Sequence, residues 1–218
     1  MSFVYTVYKR NAVLGALALC LRANVERLGF EPMPLCPFGW WRACWLSLLV
    51  SILMTAVLDS ISSKSGPLPW AHTSAVAWLN QWNVLQTDGY TPTLSSWAVQ
   101  QILHAAAASG LAEELLFRGA FPPTTTGVLA SVAIYSWFLG GERTQFAAIA
   151  GSAFALAGLF GGLAAAVATH VIFMLTTGLL YFHLAARPQA SAAARTSEQR
   201  AARSQQQAGG KGSAKKRK

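Results

Sequence analysis

Glu113, Glu114 and Arg118 lie in the run Ala-Glu-Glu-Leu-Leu-Phe-Arg-Gly at 112–119, which interrupts an otherwise apolar stretch. Ionisable groups in hydrocarbon are costly, rare and usually functional. On an α-helix, residues i and i+4 are neighbours, so Glu114 and Arg118 face each other and reduce the cost of burying both. Glu113 points about 100° away around the helix and has no basic partner within it. A carboxylate so placed serves as general base toward a water molecule, and the chemistry that follows is hydrolysis. Hydrolysis of an acyl bond also needs a donor for the oxyanion. His170 is the only other strongly polar side chain deep in an apolar run, and it is the candidate donor. Glu113, Glu114 and His170 are residue types that zinc accepts, but no His-Glu-x-x-His spacing occurs, and no cofactor is expected.

These residues need helices to position them. The 218-residue chain is 53% hydrophobic and 11% charged, against roughly 25% charged in a typical soluble domain. Its mean hydropathy of +0.37 agrees. The expectation is an all-α, polytopic transmembrane helix bundle of about five to seven helices, with the lipid bilayer as its main partner. Residues 1–39 read as an N-terminal amphipathic or partly embedded segment, because the apolar run Ala12–Leu21 is short for a span. Residues 40–186 form the transmembrane domain. Trp40–Leu58 is a span with an aromatic belt at its start. Residues 70–92 read as an interfacial helix or loop, with Trp78 and Trp82 on one helical face. Ser95–Gly119 carries the charged run and stops at Pro122-Pro123. Thr124–Leu139 is the next span. The apolar stretch Phe146–Ala186 is too long for one span, and Gly158, Gly161 and Gly162 mark where it turns back.

Residues 187–218 form a polar, basic tail expected to be disordered. Nine of the 17 Lys/Arg and one of the eight Asp/Glu lie there, so the formal charge of +9 belongs almost wholly to the tail. No nucleic-acid partner is expected of the body. Lys215 and Lys216 resemble a dilysine retrieval signal and favour the endoplasmic reticulum. Lys9, Arg10, Arg22 and Arg27, with no acid before Glu26, support a mitochondrial membrane as the alternative. Cys20, Cys36 and Cys44 form no Cys-x-x-Cys pair and are expected to be small buried hydrophobes.

Over about residues 95–180 the chain resembles the CAAX-protease and bacteriocin-processing family, the group of the type II CAAX prenyl endopeptidases. The resemblance rests on Glu113-Glu114-x-x-x-Arg118-Gly119 and on the approach from Phe154 through Gly161-Gly162 to His170. It implies an all-helical intramembrane endopeptidase in which Glu113 activates water, Glu114 is held by Arg118, and His170 contributes polar contacts. It further implies substrates such as prenylated protein C-termini ending in Cys-a-a-X. Two motifs depart from the family pattern. In the Phe-x-x-x-His motif, Tyr135 stands for Phe and Leu139 for His. In the His-x-x-x-Asn motif, Met174 stands for Asn. Neither His104 nor His183 replaces the missing histidine. On straight helices they lie about 13 Å from Glu113 and about 20 Å from His170 respectively. The alternatives to a protease are a catalytically inactive member acting as a membrane scaffold, and a small transporter that uses Glu113 as an ion site.

Overall fold

The structure is a computed structural model, and it describes residues 3–29, 31–63, 67–85 and 95–184. Among these the chain is all-helical, with seven α-helices and no strand. They are α1 (Phe3–Arg27), α2 (Trp40–Ser62), α3 (Pro69–Asn80), α4 (Ser96–Glu114), α5 (Thr125–Leu139), α6 (Thr144–Gly161) and α7 (Leu163–Leu184). The basic tail with Lys215 and Lys216, and residues 86–94, lie outside the described residues. The helix starts are encoded locally. Pro69 opens α3, where its missing N–H costs nothing. Ser95 and Thr124 cap α4 and α5 by accepting from the amides of Ala98 and Gly127, each at 3.1 Å.

Three helices are long and apolar enough to cross a membrane: α2, the stretch Gly141–Gly161 that contains α6, and α7. The outer face of α2 displays Trp40, Trp41, Trp45, Leu49, Ile52 and Leu53 to the surroundings. An apolar face of that extent is suited to lipid. Two expectations need correction. Of residues 70–92, read as an interfacial helix or loop, the described part is helical, and Ala71, Ala75, Trp78 and Trp82 are buried in the core rather than facing an interface. Here the aromatic face packs inward, because Trp78 meets Phe146 and Phe173 at ring distances of 5.3 and 6.0 Å. The cysteines are free, but Cys20 and Cys44 are exposed on the outer surfaces of α1 and α2 rather than buried.

Helix α7 carries His170, and its register is set by small polar residues on α2. Ser47 and Ser51 donate to the carbonyls of Ala165 and Thr169 at 3.1 and 3.0 Å. One turn further, the hydroxyls of Thr55 and Thr176 lie 2.7 Å apart. Small side chains at i, i+4 spacing bring the two backbones close. On its other side α7 packs on α4, where a Cβ at Gly178 would stand 2.7 Å from Ile102.

The reversal between α6 and α7 falls at Gly162, as the glycines predict. Its φ of +82° is open to glycine and strained for other residues. The amides of Leu163 and Ala164, at the start of α7, donate to the carbonyls of Pro34 and Leu35 at 2.8 and 2.9 Å. The proline-rich loop thus satisfies donors that a helix start leaves open. A Cβ at Gly162 would sit 2.6 and 2.7 Å from those same two carbonyl oxygens. Gly162→Ala is therefore expected to destabilise the protein by about 2–4 kcal/mol through combined strain and overpacking. Thermal unfolding in detergent micelles measures the effect, with Gly141→Ala as a control, since that glycine also has positive φ but has open space around it.

Candidate active site

The charged run does not continue as one regular helix to Gly119. After Glu114, α4 widens into a π-turn over Leu115–Gly119, a distortion frequent at functional sites. The i, i+4 pair survives it. Arg118 Nη1 donates to Glu114 Oε1 at 3.1 Å, and Nη2 donates to the carbonyl of Gly151 on α6 at 2.8 Å. The guanidinium also lies 4.8 Å from the centre of the Tyr135 ring on α5, a favourable cation–π contact when desolvated. Glu114 and Arg118 are wholly buried. Two charges survive there because each meets an opposite charge and further polar groups.

His170 comes from α7 to the same carboxylate. Its Nδ1 lies 2.7 Å from Glu114 Oε1. An ionised carboxylate only accepts, so Nδ1 carries the proton, and in the neutral ring Nε2 is left as an acceptor. Phe154 stacks on the imidazole at 4.5 Å with a 16° interplanar angle, which fixes the ring plane. Nε2 then lies 3.9 Å from Glu113 Oε2. The gap is too wide for a direct hydrogen bond and suits one oxygen atom bound by both. The structure therefore unites all four residues predicted to form the site: Glu113, Glu114, Arg118 and His170.

Glu113 is not the solitary carboxylate expected. It has no basic partner within α4, but Arg10 of α1 donates to its Oε1 at 2.7 Å. The same Arg10 nitrogen also reaches Ser109 at 3.1 Å, and Asn11 donates to Ser109 at 3.2 Å. Arg10 is half exposed while Glu113 is buried, so the pair sits at a boundary. Arg10 escaped notice because it precedes the apolar run of α1 and reads as a flanking charge. The available signal was its neighbour Asn11, a second polar side chain where the apolar run of α1 begins.

A cavity of about 280 Å³ opens onto these groups and is lined by Arg10, Glu113, Tyr135, Leu139, His170 and Met174, among others. Leu139 and Met174 both line this cavity. The Tyr135 hydroxyl is buried and has no hydrogen-bond partner among the described residues. His104 is elsewhere: it is exposed and bonds the Gln100 carbonyl at 2.7 Å. Among the described residues, no set of three His, Cys, Asp or Glu is arranged to hold a metal ion. Comparison of the chain with family models, curated proteins and solved structures finds no match.

Proposed function

We propose that the chain is an intramembrane endopeptidase in which Glu113 and His170 activate a water molecule against a peptide bond. The observation that carries this reading is the 3.9 Å separation of Glu113 Oε2 and His170 Nε2, with His170 oriented from behind by Glu114. A water held by both acceptors has its lone pair free for the carbonyl carbon. Glu113 takes the proton as the carbon–oxygen bond forms, and the carbonyl electron pair moves to its oxygen. When the carbon–nitrogen bond breaks, the leaving amine takes the proton from Glu113. Because Nε2 accepts in this arrangement, the oxyanion donor must be another group. The Tyr135 hydroxyl fits that role. Tyr135→Phe keeps the ring and its packing, and it is expected to lower kcat by about 100- to 1000-fold with little change in KM.

The resemblance described above supports prenylated Cys-a-a-X termini as the first substrates to test, and with them the endoplasmic reticulum as the membrane. Incubating the purified full chain in detergent with a farnesylated Cys-a-a-X peptide, and following the released tripeptide by mass spectrometry, tests the reading. The Arg10–Glu113 ion pair and the apolar Leu139 and Met174 favour the second reading, an inactive membrane scaffold. That reading prevails if the native chain releases nothing while Leu139→His with Met174→Asn creates cleavage.

A further inference from the structure

The outer face of α2 carries a groove that takes no part in the hydrolytic step. It has a volume of about 470 Å³ and runs from Arg42 past Trp45 and Leu49 to Ile52, with Phe160 of α6 beside it. Every residue that lines it is apolar except Arg42. The end of α6 meets the start of α2 here, since a Cβ on Gly161 would stand 3.2 Å from Leu46 and 3.6 Å from the Cα of Ala43. Phe160 therefore stands exposed beside the first turns of α2. From Arg42 to Ile52 the helix rises about 15 Å. The hydrocarbon core of a bilayer is about 30 Å thick, so the groove matches the depth of one leaflet. Arg42 is exposed, and among the described residues it meets no carboxylate and donates no hydrogen bond. Its guanidinium lies 4.6 Å from the centre of the Phe38 ring, a contact that restrains the side chain and leaves its N–H groups free. Trp40, Trp41 and Trp45 are exposed around it, as an aromatic belt is at the level of lipid headgroups.

Another helix is a poor occupant of this groove. Helices in membranes approach each other through small residues. The small residues of α2, Ser47, Ser51 and Thr55, already face α7. The groove is walled by bulky side chains instead, and a flexible hydrocarbon chain fills such a shape. Charge selects the head of that chain. A guanidinium binds phosphate oxygens through paired, charge-assisted hydrogen bonds. A zwitterionic headgroup would bring a second cation to Arg42, and an anionic one would not.

We infer that Arg42, Trp45, Leu49, Ile52 and Phe160 form a binding site for one anionic phospholipid, with its phosphate on Arg42 and an acyl chain along the groove. The inference does not rest on the hydrolytic reading, because the lipid binds whether or not a bond is cut. Native mass spectrometry of the delipidated full chain in micelles tests it, with dioleoyl phosphatidylglycerol and dioleoyl phosphatidylcholine as probes of equal chain length. The first phosphatidylglycerol adduct is expected to form with about fivefold lower Kd than the phosphatidylcholine adduct, the advantage of one basic residue at a membrane surface. The basic tail attracts anionic lipid as well, so the decision lies with variants in the groove. Arg42→Gln should bring the two lipids within about twofold of each other, and Arg42→Lys, which keeps the charge, should restore most of the preference. Leu49→Trp, at an exposed position, fills the groove and should weaken the first phosphatidylglycerol adduct several-fold with the unfolding temperature unchanged. Equal affinity of the native chain for both lipids overturns the inference, as does a preference that survives both Arg42→Gln and Leu49→Trp, which assigns the lipid to the tail. A lipid-free mass of two chains that Leu49→Trp abolishes also overturns it and gives the groove to a second copy. Loss of cleavage with the lipid preference intact would fault the hydrolytic reading alone.

Discussion

Glu113→Gln is expected to lower peptide hydrolysis by about 100- to 10,000-fold, the range for removing a general base. Glutamine keeps the size of the side chain, and its carbonyl oxygen still accepts from Arg10, so the 2.7 Å contact persists in form. The ion pair it replaces is half open on the Arg10 side, where solvent weakens it. The variant should therefore fold, bind and fail at chemistry. Single-turnover kinetics beside thermal unfolding separates these outcomes. Retention of more than a tenth of the native rate removes Glu113 from the role of base.

Glu114 stands in a different energetic position, and its loss should be felt in stability first. Glu114→Leu leaves the Arg118 guanidinium, itself 1% exposed, buried without a counter-charge. Breaking a buried pair from one side costs about 3–5 kcal/mol. The same change releases His170 Nδ1 from its 2.7 Å acceptor, so the imidazole loses its tautomer as well. Replacing both charges, Glu114→Leu with Arg118→Met, is expected to recover at least half of the lost stability, since it removes the stranded cation. Activity should not return with it, because His170 remains unanchored. Unfolding midpoints of the two variants in one detergent, with matched activity assays, check the pattern. Equal stability of the single and double variants would mean that Arg118 finds compensation elsewhere, for which the Gly151 carbonyl is the nearest group.

Much of this site is legible in the sequence, for reasons of local geometry. Helical spacing alone paired Glu114 with Arg118, and the rarity of polar groups in apolar runs singled out His170. The break at Gly162 was visible because forty apolar residues cannot form one span. What escaped were contacts between distant parts of the chain. Arg10 meets Glu113 across 103 positions, and no periodicity in either helix encodes that meeting. Spacing puts Trp78 and Trp82 on one helical face but leaves the direction of that face open, because an aromatic face suits a membrane interface and a protein core equally well. The π-turn at Leu115–Gly119 leaves no mark in composition.

The reach of Arg10 also has a consequence for the order in which the molecule is made. The ribosome releases Arg10 before Glu113, and at about 5–20 residues per second the 103-residue separation amounts to roughly 5–20 s. During that interval α1 holds a cation with no counter-charge in the described fold. Water is the cheaper place for an unpaired cation, so Arg10 is expected to stay solvated until α4 has been made. The arrival of α4 supplies Glu113 and Ser109 together and draws α1 into the bundle. Helix α1, though made before α4, therefore docks on it only afterwards, and Glu113 acquires its Arg10 contact only when that docking is complete.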